Sequence, residues 1–540
     1  MSASAADTTG WLERLRANGT RENSERDWAI EAGGVRLSHG DLARGCEQVA
    51  CQLESLGLTR GDVVAILAPP SLAGVCVLHA FLASGVVMLP LNARLSQVEL
   101  QEALVSTSVR ALLVSDDGGA NHGDASGASA REAAAAADCG LFVMSSIFDR
   151  GAGPQLIAER GCVDRPASVA QRQRLAEQGA ALILRTSGTT GRPKGAVLSL
   201  ANLLASASAS SALLETTERD RWLLCMPLFH IGGLSILVRS VLDASSVVLH
   251  SGFDAERVTE SLDRDGITCV SFVATMLQRL LAIRGERRAP TSLRVLLLGG
   301  GPATKGLLSR AVDLGYPVSP TYGLTEAASQ VATRPPWRPS PDPDDHAAGL
   351  EPLPGVGIRI VPETSKSLAR GEGVEGEIEV RGPNVMLGYL DAPDTTDTTD
   401  ATDGAGEVLR NGWLRTGDFG RIDSAGRLRV LDRRSDLILS GGENIYPAEI
   451  ESVLEEHENV EEAAVVGRVD ADFGARPIAF IVLREGASLA GDENAAEREL
   501  RAHCEARLAR FKVPVAFDFQ RALPRTASGK LMRRSLVKSE

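Results

Sequence analysis

The stretch Ala181 to Leu200, ALILRTSGTTGRPKGAVLSL, sets closely spaced hydroxyls and unhindered backbone N–H groups beside a single cation. Thr186, Ser187, Gly188, Thr189, Thr190 and Gly191 have the make-up of an anion nest for a polyphosphate, and Lys194 adds a point charge. The lysine is followed by Gly195, which has no hydroxyl to offer a magnesium ion, so the spacing departs from GxxxxGK[ST] and disfavours an ordinary P-loop NTPase. A Gly/Ser/Thr run taken singly is more often a plain surface loop. Further along, the apolar run Val295 to Leu298 enters Gly299-Gly300-Gly301, where missing side chains would let a flat base lie against backbone. Pro320-Thr321-Tyr322-Gly323-Leu324-Thr325-Glu326 then supplies an aromatic ring, a hydroxyl and a carboxylate, the last an oxygen donor suited to a hard cation. Asp418, in Trp413-Leu414-Arg415-Thr416-Gly417-Asp418, is a natural bidentate acceptor for a vicinal diol.

Strands and helices must hold these groups in place. Apolar Leu182 to Leu184 predicts a buried strand leading into the loop, with a second strand after it. Leu42, Cys46, Val49, Ala50, Leu53 and Leu56 recur at helical spacing from Ser38 and stop at Gly57; Val63 to Leu67 reads as a buried strand. A second helix over Ser71 to Ser84 leads to a strand at Val86 to Pro90. Such alternation predicts a mostly parallel sheet with helices on both faces. The Gly-, Ala- and Ser-rich Asp116 to Ala137 predicts a surface loop running into an alanine-rich helix, and acidic Asp391 to Glu407 a solvated insertion without chemistry.

At 540 residues the chain exceeds what one core supports, so two or more domains are expected. The net charge of −13 argues against nucleic-acid or anionic-membrane partners. Eight scattered cysteines, with no CxxC pair and mostly apolar neighbours, predict buried reduced thiols. The N-terminus lacks a basic segment followed by an apolar one, and no apolar run is long enough to span a bilayer, so the cytoplasm is the expected location.

From Thr186 to Gly195 the chain meets (S/T)SGTTGxPKG without a gap, and in this it resembles the phosphate loop of the adenylate-forming superfamily of acyl-CoA synthetases, peptide-synthetase adenylation domains and luciferases. The superfamily's other motifs follow in order: YGLTE at Tyr322, WLRTGD at Trp413, DLILSGGENIYPAEIE from Asp436, and PRTASGK ending at Lys530. The resemblance implies an α/β fold: a large N-terminal domain of helix-flanked β-sheets with a small β-barrel part (1–431), hinged to a small α+β C-terminal domain (432–540). It implies ATP, Mg²⁺ and coenzyme A as reactants. Thr186 to Gly191 and Lys194 would then cradle phosphates, Gly299 to Gly301 would face the base, and Tyr322 would stack on adenine. Thr325 would face the α-phosphate, Glu326 would hold Mg²⁺, and Asp418 with Arg433 would take the ribose. Lys530 would sit between substrate carboxylate and phosphate. Gly441 and Gly442 would line a pantetheine channel after rotation about Ser435, where Asp432-Arg433-Arg434-Ser435-Asp436 departs from the usual G-R-x-(K/D)-D. Lys512 would either contact coenzyme A phosphates or lie solvated.

The choice of acid rests on Met226 to Arg239, MPLFHIGGLSILVR, on Ser271 to Leu277, and on the Ser329-Gln330 pair, which look like those of o-succinylbenzoate–CoA ligases of menaquinone biosynthesis. That resemblance places Arg239 on the ring carboxylate of the substrate, with His230 and Thr275 at the acyl pocket. An arginine on the solvent face of a helix and a structural histidine are the rival readings. The expected partners are a small carboxylic acid, ATP and coenzyme A, with homodimerisation open. Other aryl- or fatty-acid–CoA ligases are the nearest alternative function, and a non-enzymatic relative is a more distant one.

Overall fold

The computed structural model describes residues 8–20, 28–116, 125–145, 153–162, 166–187, 193–301, 303, 305–336, 349–362, 375–390, 408–432, 438–445, 447–484, 486–487, 492–524, 533 and 536. The chain divides into two compact units. The first comprises Met1–Ala93, Leu104–Leu184 and Gly195–Leu431; the second comprises Arg94–Ala103, Arg185–Lys194 and Asp432–Glu540.

Two large sheets organise the first unit. One has nine strands, in the order Glu351–Pro352, Ser329–Thr333, Val318–Leu324, Val295–Leu298, Cys269–Phe272, Arg221–Leu224, Ser246–Leu249, Trp28–Ala32 and Val35–Ser38. Its interior pairs are parallel and its two ends antiparallel. The other has eight, in the order Gly388–Tyr389, Pro193–Ser199, Ala180–Ser187, Val87–Pro90, Val63–Leu67, Ala111–Ser115, Gly140–Met144 and Leu156–Arg160. The part expected as a small barrel is a five-stranded sheet built on Glu375–Arg381 and Trp413–Ile422, which pair antiparallel.

Helix Leu72–Ser84 shows why the two large sheets meet. It is apolar on nearly every face, so it cannot lie on a surface, and Val75, Cys76, Leu78 and Phe81 join one core with Val64 and Met88 of the eight-stranded sheet and Trp222 and Leu224 of the nine-stranded one. Its start is set by Ser71, whose hydroxyl accepts from Gly74 N, and its end by Gly85 in the left-handed region. The helix expected from Ser38 runs His39–Ser55 behind a reciprocal cap, with Ser38 N donating to Asp41 and Asp41 N to Ser38 Oγ, both at 3.0 Å. The alanine-rich helix spans Ala125–Ala136; the insertion 391–407 lies outside the described residues. Six of the eight cysteines are buried, but Cys51 is exposed and Cys162 half-buried, which corrects the expectation of burial for those two thiols.

His79, also on Leu72–Ser84, is 1% exposed, and its ring lies 5.6 Å from that of Trp11. Burial lowers its pKa to about 3 from 6.5. Between those values the unfolded chain binds a proton that the native one refuses, so stability is complete above pH 6.5 and is lost as the pH falls towards 3. Urea titrations at neutral pH and near pH 4.5 should differ by roughly 2–3 kcal/mol more in the native chain than in His79→Gln. Equal pH dependence in the two would rule out this account.

The second unit carries an antiparallel sheet of Glu443–Ile445, Ile438–Ser440, Gly474–Leu483 and Val460–Asp470, with Ala516–Phe519 added in parallel. Helices Pro447–Glu455 and Glu493–Glu505 pack on it through Ile450, Leu454 and Leu500. Among the described residues no helix is long and apolar enough to cross a membrane.

Candidate active site

The glycine- and threonine-rich loop joins Ala180–Ser187 to Pro193–Ser199. Thr186 is buried, with Oγ1 donating to Lys194 O at 3.5 Å. Gly188, Thr189, Thr190 and Gly191 lie outside the described residues, as do Arg433, Ser435 and Lys530.

Just past the interior strand Val295–Leu298 of the nine-stranded sheet, Gly299 N donates to Phe272 O at 3.1 Å, and Gly300 turns the chain at φ +80°. A Cβ at Gly300 would also stand 2.8 Å from Val273 Cγ1, so this turn admits only glycine. The neighbouring Val318–Leu324 pairs antiparallel with Ser329–Thr333, the register shifting between Tyr322 and Gly323. A Cβ on Gly323 would sit 2.0 Å from Ser329 O, which is why a glycine follows the tyrosine.

That tight hairpin aims three groups. Tyr322 is buried and its hydroxyl donates to Asp418 Oδ2 at 2.7 Å, bringing together the residues expected at adenine and ribose. Asp418 lies on Trp413–Ile422, where its N–H donates to Thr416 Oγ1 at 3.1 Å. Thr325 and Glu326 begin a 3₁₀ turn, Thr325–Ala327. Glu326 is fixed at both ends: Met386 N donates to its carbonyl at 2.8 Å, and the Tyr389 hydroxyl donates to Oε1 at 2.8 Å. The segment that supplies both donors is tied down in turn. Asn202, third residue of helix Leu200–Leu214, closes a reciprocal cap with Ser199 and donates to Pro383 O and Val385 O, each at 2.8 Å. A carboxylate held by one hydroxyl donor is a hard oxygen ligand, so the residue present fits Mg²⁺.

The acyl segment follows. His230 is the N-cap of helix Ile231–Asp243, its ring 4.6 Å from that of Phe229 and tilted 54° to it; Thr275 lies in the first turn of Ala274–Arg284. The helix bearing Arg239 is buried on several faces, and the arginine is 1% exposed, which overturns the solvent-face reading. Its guanidinium stands 4.5 Å from the Trp222 ring centroid. Nη1 donates to Ser210 Oγ and, at 3.0 Å, to Gln330 Oε1. Nε and Nη2 have no partner, nor does the Trp222 indole N–H, and among the described residues no carboxylate lies within ion-pair distance. Burial lowers the arginine's pKa to about 10, with Asp243 on the same helix opposing the shift, so it stays charged at neutral pH. The buried cation therefore touches only neutral acceptors and keeps donors able to meet an anion.

These stations sit on a chain that matches the AMP-binding enzyme family over residues 17–390 and the C-terminal domain of AMP-binding enzymes over 449–530. The chain belongs to the AMP-binding enzyme family. A curated relative, the 2-succinylbenzoate–CoA ligase of Bacillus cereus, is 38% identical over 510 residues, spanning 94% of this chain and 95% of its own. Among solved structures, the o-succinylbenzoate CoA synthetase of Bacillus subtilis, as a double mutant bound with its product analogue OSB-NCoA, is similar with a TM-score of 0.78 at 33% identity over 98% of both chains. The same enzyme with the acyl-adenylate intermediate OSB-AMP gives 0.63 at 33% identity over 98% of both chains. With ATP and magnesium ion it gives 0.63 at 34% identity over 97% of this chain and 98% of that one.

In this AMP-binding enzyme the second unit holds Gly441 and Gly442 in the turn between Ile438–Ser440 and Glu443–Ile445, where Gly441 N donates to Phe473 O at 2.8 Å. Lys512 is buried and paired with Glu99 at 2.7 Å and Glu449 at 2.8 Å, all three within that unit, so the solvated reading is wrong. Sequence reasoning passed over Tyr389, Ser210 and Trp222. Tyr389 lies outside every motif, and Ser210 is one of several serines in a small-residue helix, so no local signal marked either.

Proposed function

We propose that this chain is an AMP-forming acid–CoA ligase that activates 2-succinylbenzoate with ATP and passes the acyl group to coenzyme A in the cytoplasm. The buried Arg239, with two unpartnered donor nitrogens and, among the described residues, no carboxylate within ion-pair distance, carries the choice of acid. 2-Succinylbenzoate has a second carboxylate on its ring, and burying that charge unpaired in an apolar pocket would cost several kcal/mol. Arg239, its guanidinium lying over the Trp222 ring, answers it.

In the first half-reaction an oxygen of the succinyl carboxylate bonds to the α-phosphorus as the bond to the pyrophosphate oxygen breaks. In the second, the coenzyme A sulfur, its proton lost, bonds to the acyl carbon and AMP leaves. Tyr322 and Asp418 receive the adenosine, Thr186 to Gly191 and Lys194 the departing pyrophosphate, and Lys530 the charge that builds between carboxylate and phosphate. Mg²⁺ held by Glu326 neutralises polyphosphate charge when bound. Residues 432–540 form the mobile domain, turning at Ser435 between the two steps.

The test is AMP release dependent on ATP and coenzyme A across 2-succinylbenzoate, benzoate, succinate and a medium-chain fatty acid. The expected result is a kcat/KM for 2-succinylbenzoate at least ~100-fold above the others, the scale on which a buried ion pair discriminates. Equal or better turnover of benzoate or the fatty acid would favour the broader aryl- or acyl-CoA ligase.

A further inference from the structure

We propose that Gln330 is a specificity-determining positioning residue: a neutral amide that aims Arg239 while leaving its charge free for the substrate. The proposal rests on the reading of Arg239 as the anchor for the second carboxylate.

Gln330 lies on Ser329–Thr333 and is 3% exposed. Its Oε1 accepts from Arg239 Nη1 at 3.0 Å and from Ser210 Oγ at 2.5 Å. A guanidinium has only donors, so the amide oxygen must face it and the NH₂ must point away. The NH₂ donates to Thr333 Oγ1 at 2.8 Å and reaches Thr321 Oγ1 at 3.4 Å. Thr321 immediately precedes Tyr322, and the two threonine hydroxyls lie 2.6 Å apart. One buried chain of polar groups therefore runs from Arg239 to the hairpin that presents Tyr322.

Each acceptor on Arg239 is uncharged. The nearest acidic group on its own helix, Asp243, has one carboxylate oxygen accepting from Ser211 at 2.8 Å and Thr216 at 2.7 Å. Neutral acceptors fix the direction of a guanidinium without cancelling its charge, so Nε and Nη2 remain for a carboxylate brought by the acid. A glutamate at 330 would have the same shape and would supply that carboxylate from within the protein. The Thr333 hydroxyl can rotate to donate to its second oxygen while Thr321 donates to Thr333, so the fold can accept the change.

Gln330→Glu should raise KM for 2-succinylbenzoate by roughly 30- to 100-fold, with kcat held within about twofold. KM for 4-oxo-4-phenylbutanoate, which lacks the ring carboxylate, should stay within about twofold of its starting value. Gln330→Met, of similar volume and without the acceptor, is the second variant and should raise KM for the dicarboxylic acid by roughly three- to tenfold, again sparing the monocarboxylic one. Equal changes for both acids, or none, in the folded variants would overturn the proposal. Arg239→Met measured alongside separates the two readings: if it loses the preference for the dicarboxylic acid and the Gln330 variants do not, the role of Gln330 fails alone. If Arg239→Met also keeps the preference, the anchor itself is wrong.

Discussion

Lys530→Ala should slow formation of the acyl-adenylate by roughly a thousandfold or more, while transfer of supplied acyl-adenylate to coenzyme A changes by less than about tenfold. Joining a carboxylate to the α-phosphate brings two anions together, and the transition state concentrates further charge on the phosphate oxygens. A compact ammonium on a flexible stem is suited to that charge, and in a water-poor site its interaction is screened little. The second step attacks a carbonyl carbon and expels AMP, and the resemblance to the adenylate-forming superfamily implies that Lys530 has then been turned away. Pyrophosphate release from ATP reports the first step, and thioester formation from synthetic acyl-adenylate reports the second. Comparable losses in both would remove Lys530 from this role.

Arg239→Ala should weaken 2-succinylbenzoate by roughly 2–5 kcal/mol, the scale for leaving one member of a buried charge pair alone. The same substitution should improve 4-oxo-4-phenylbutanoate relative to it, because the pocket would no longer hold a cation without a counter-charge. ATP binding should be unaffected, as Tyr322 and Asp418, the residues proposed to receive adenosine, bond to each other and not to the arginine. Alanine also leaves space beside Trp222 and Ser210, so Arg239→Met, which retains volume and drops the charge, should be measured with it. Equal weakening of both acids in the methionine variant would make the arginine a support of the fold and favour the broader ligase reading.

Local signals carried the regular elements well. Ser38 with Asp41, and Ser71 with Gly85, mark helix ends through bonds made within a few residues, so the boundaries were readable without tertiary structure. Val63–Leu67 and Val295–Leu298 were equally plain, because strands buried on both faces are continuous apolar runs. The motifs mark Tyr322, Glu326 and Asp418 by type and order, since the groups able to meet a base, a cation and a diol are few.

Partnership was another matter. Tyr322 and Asp418 are far apart in the chain, and only the meeting of the nine-stranded sheet with Trp413–Ile422 sets them 2.7 Å apart. Lys512 has no local feature that foretells burial between Glu99 and Glu449. Glu326 acquires its hydroxyl donor from Tyr389, and Arg239 its acceptors from Ser210 and Gln330, across folds of the chain that no local pattern records. By itself the sequence determined the elements, the order of the motifs and the kind of chemistry, because propensity, capping and residue type act over a few residues. Only the tertiary structure decided that Arg239 is buried with no carboxylate at ion-pair distance among the described residues, because burial and pairing depend on every element packed around it.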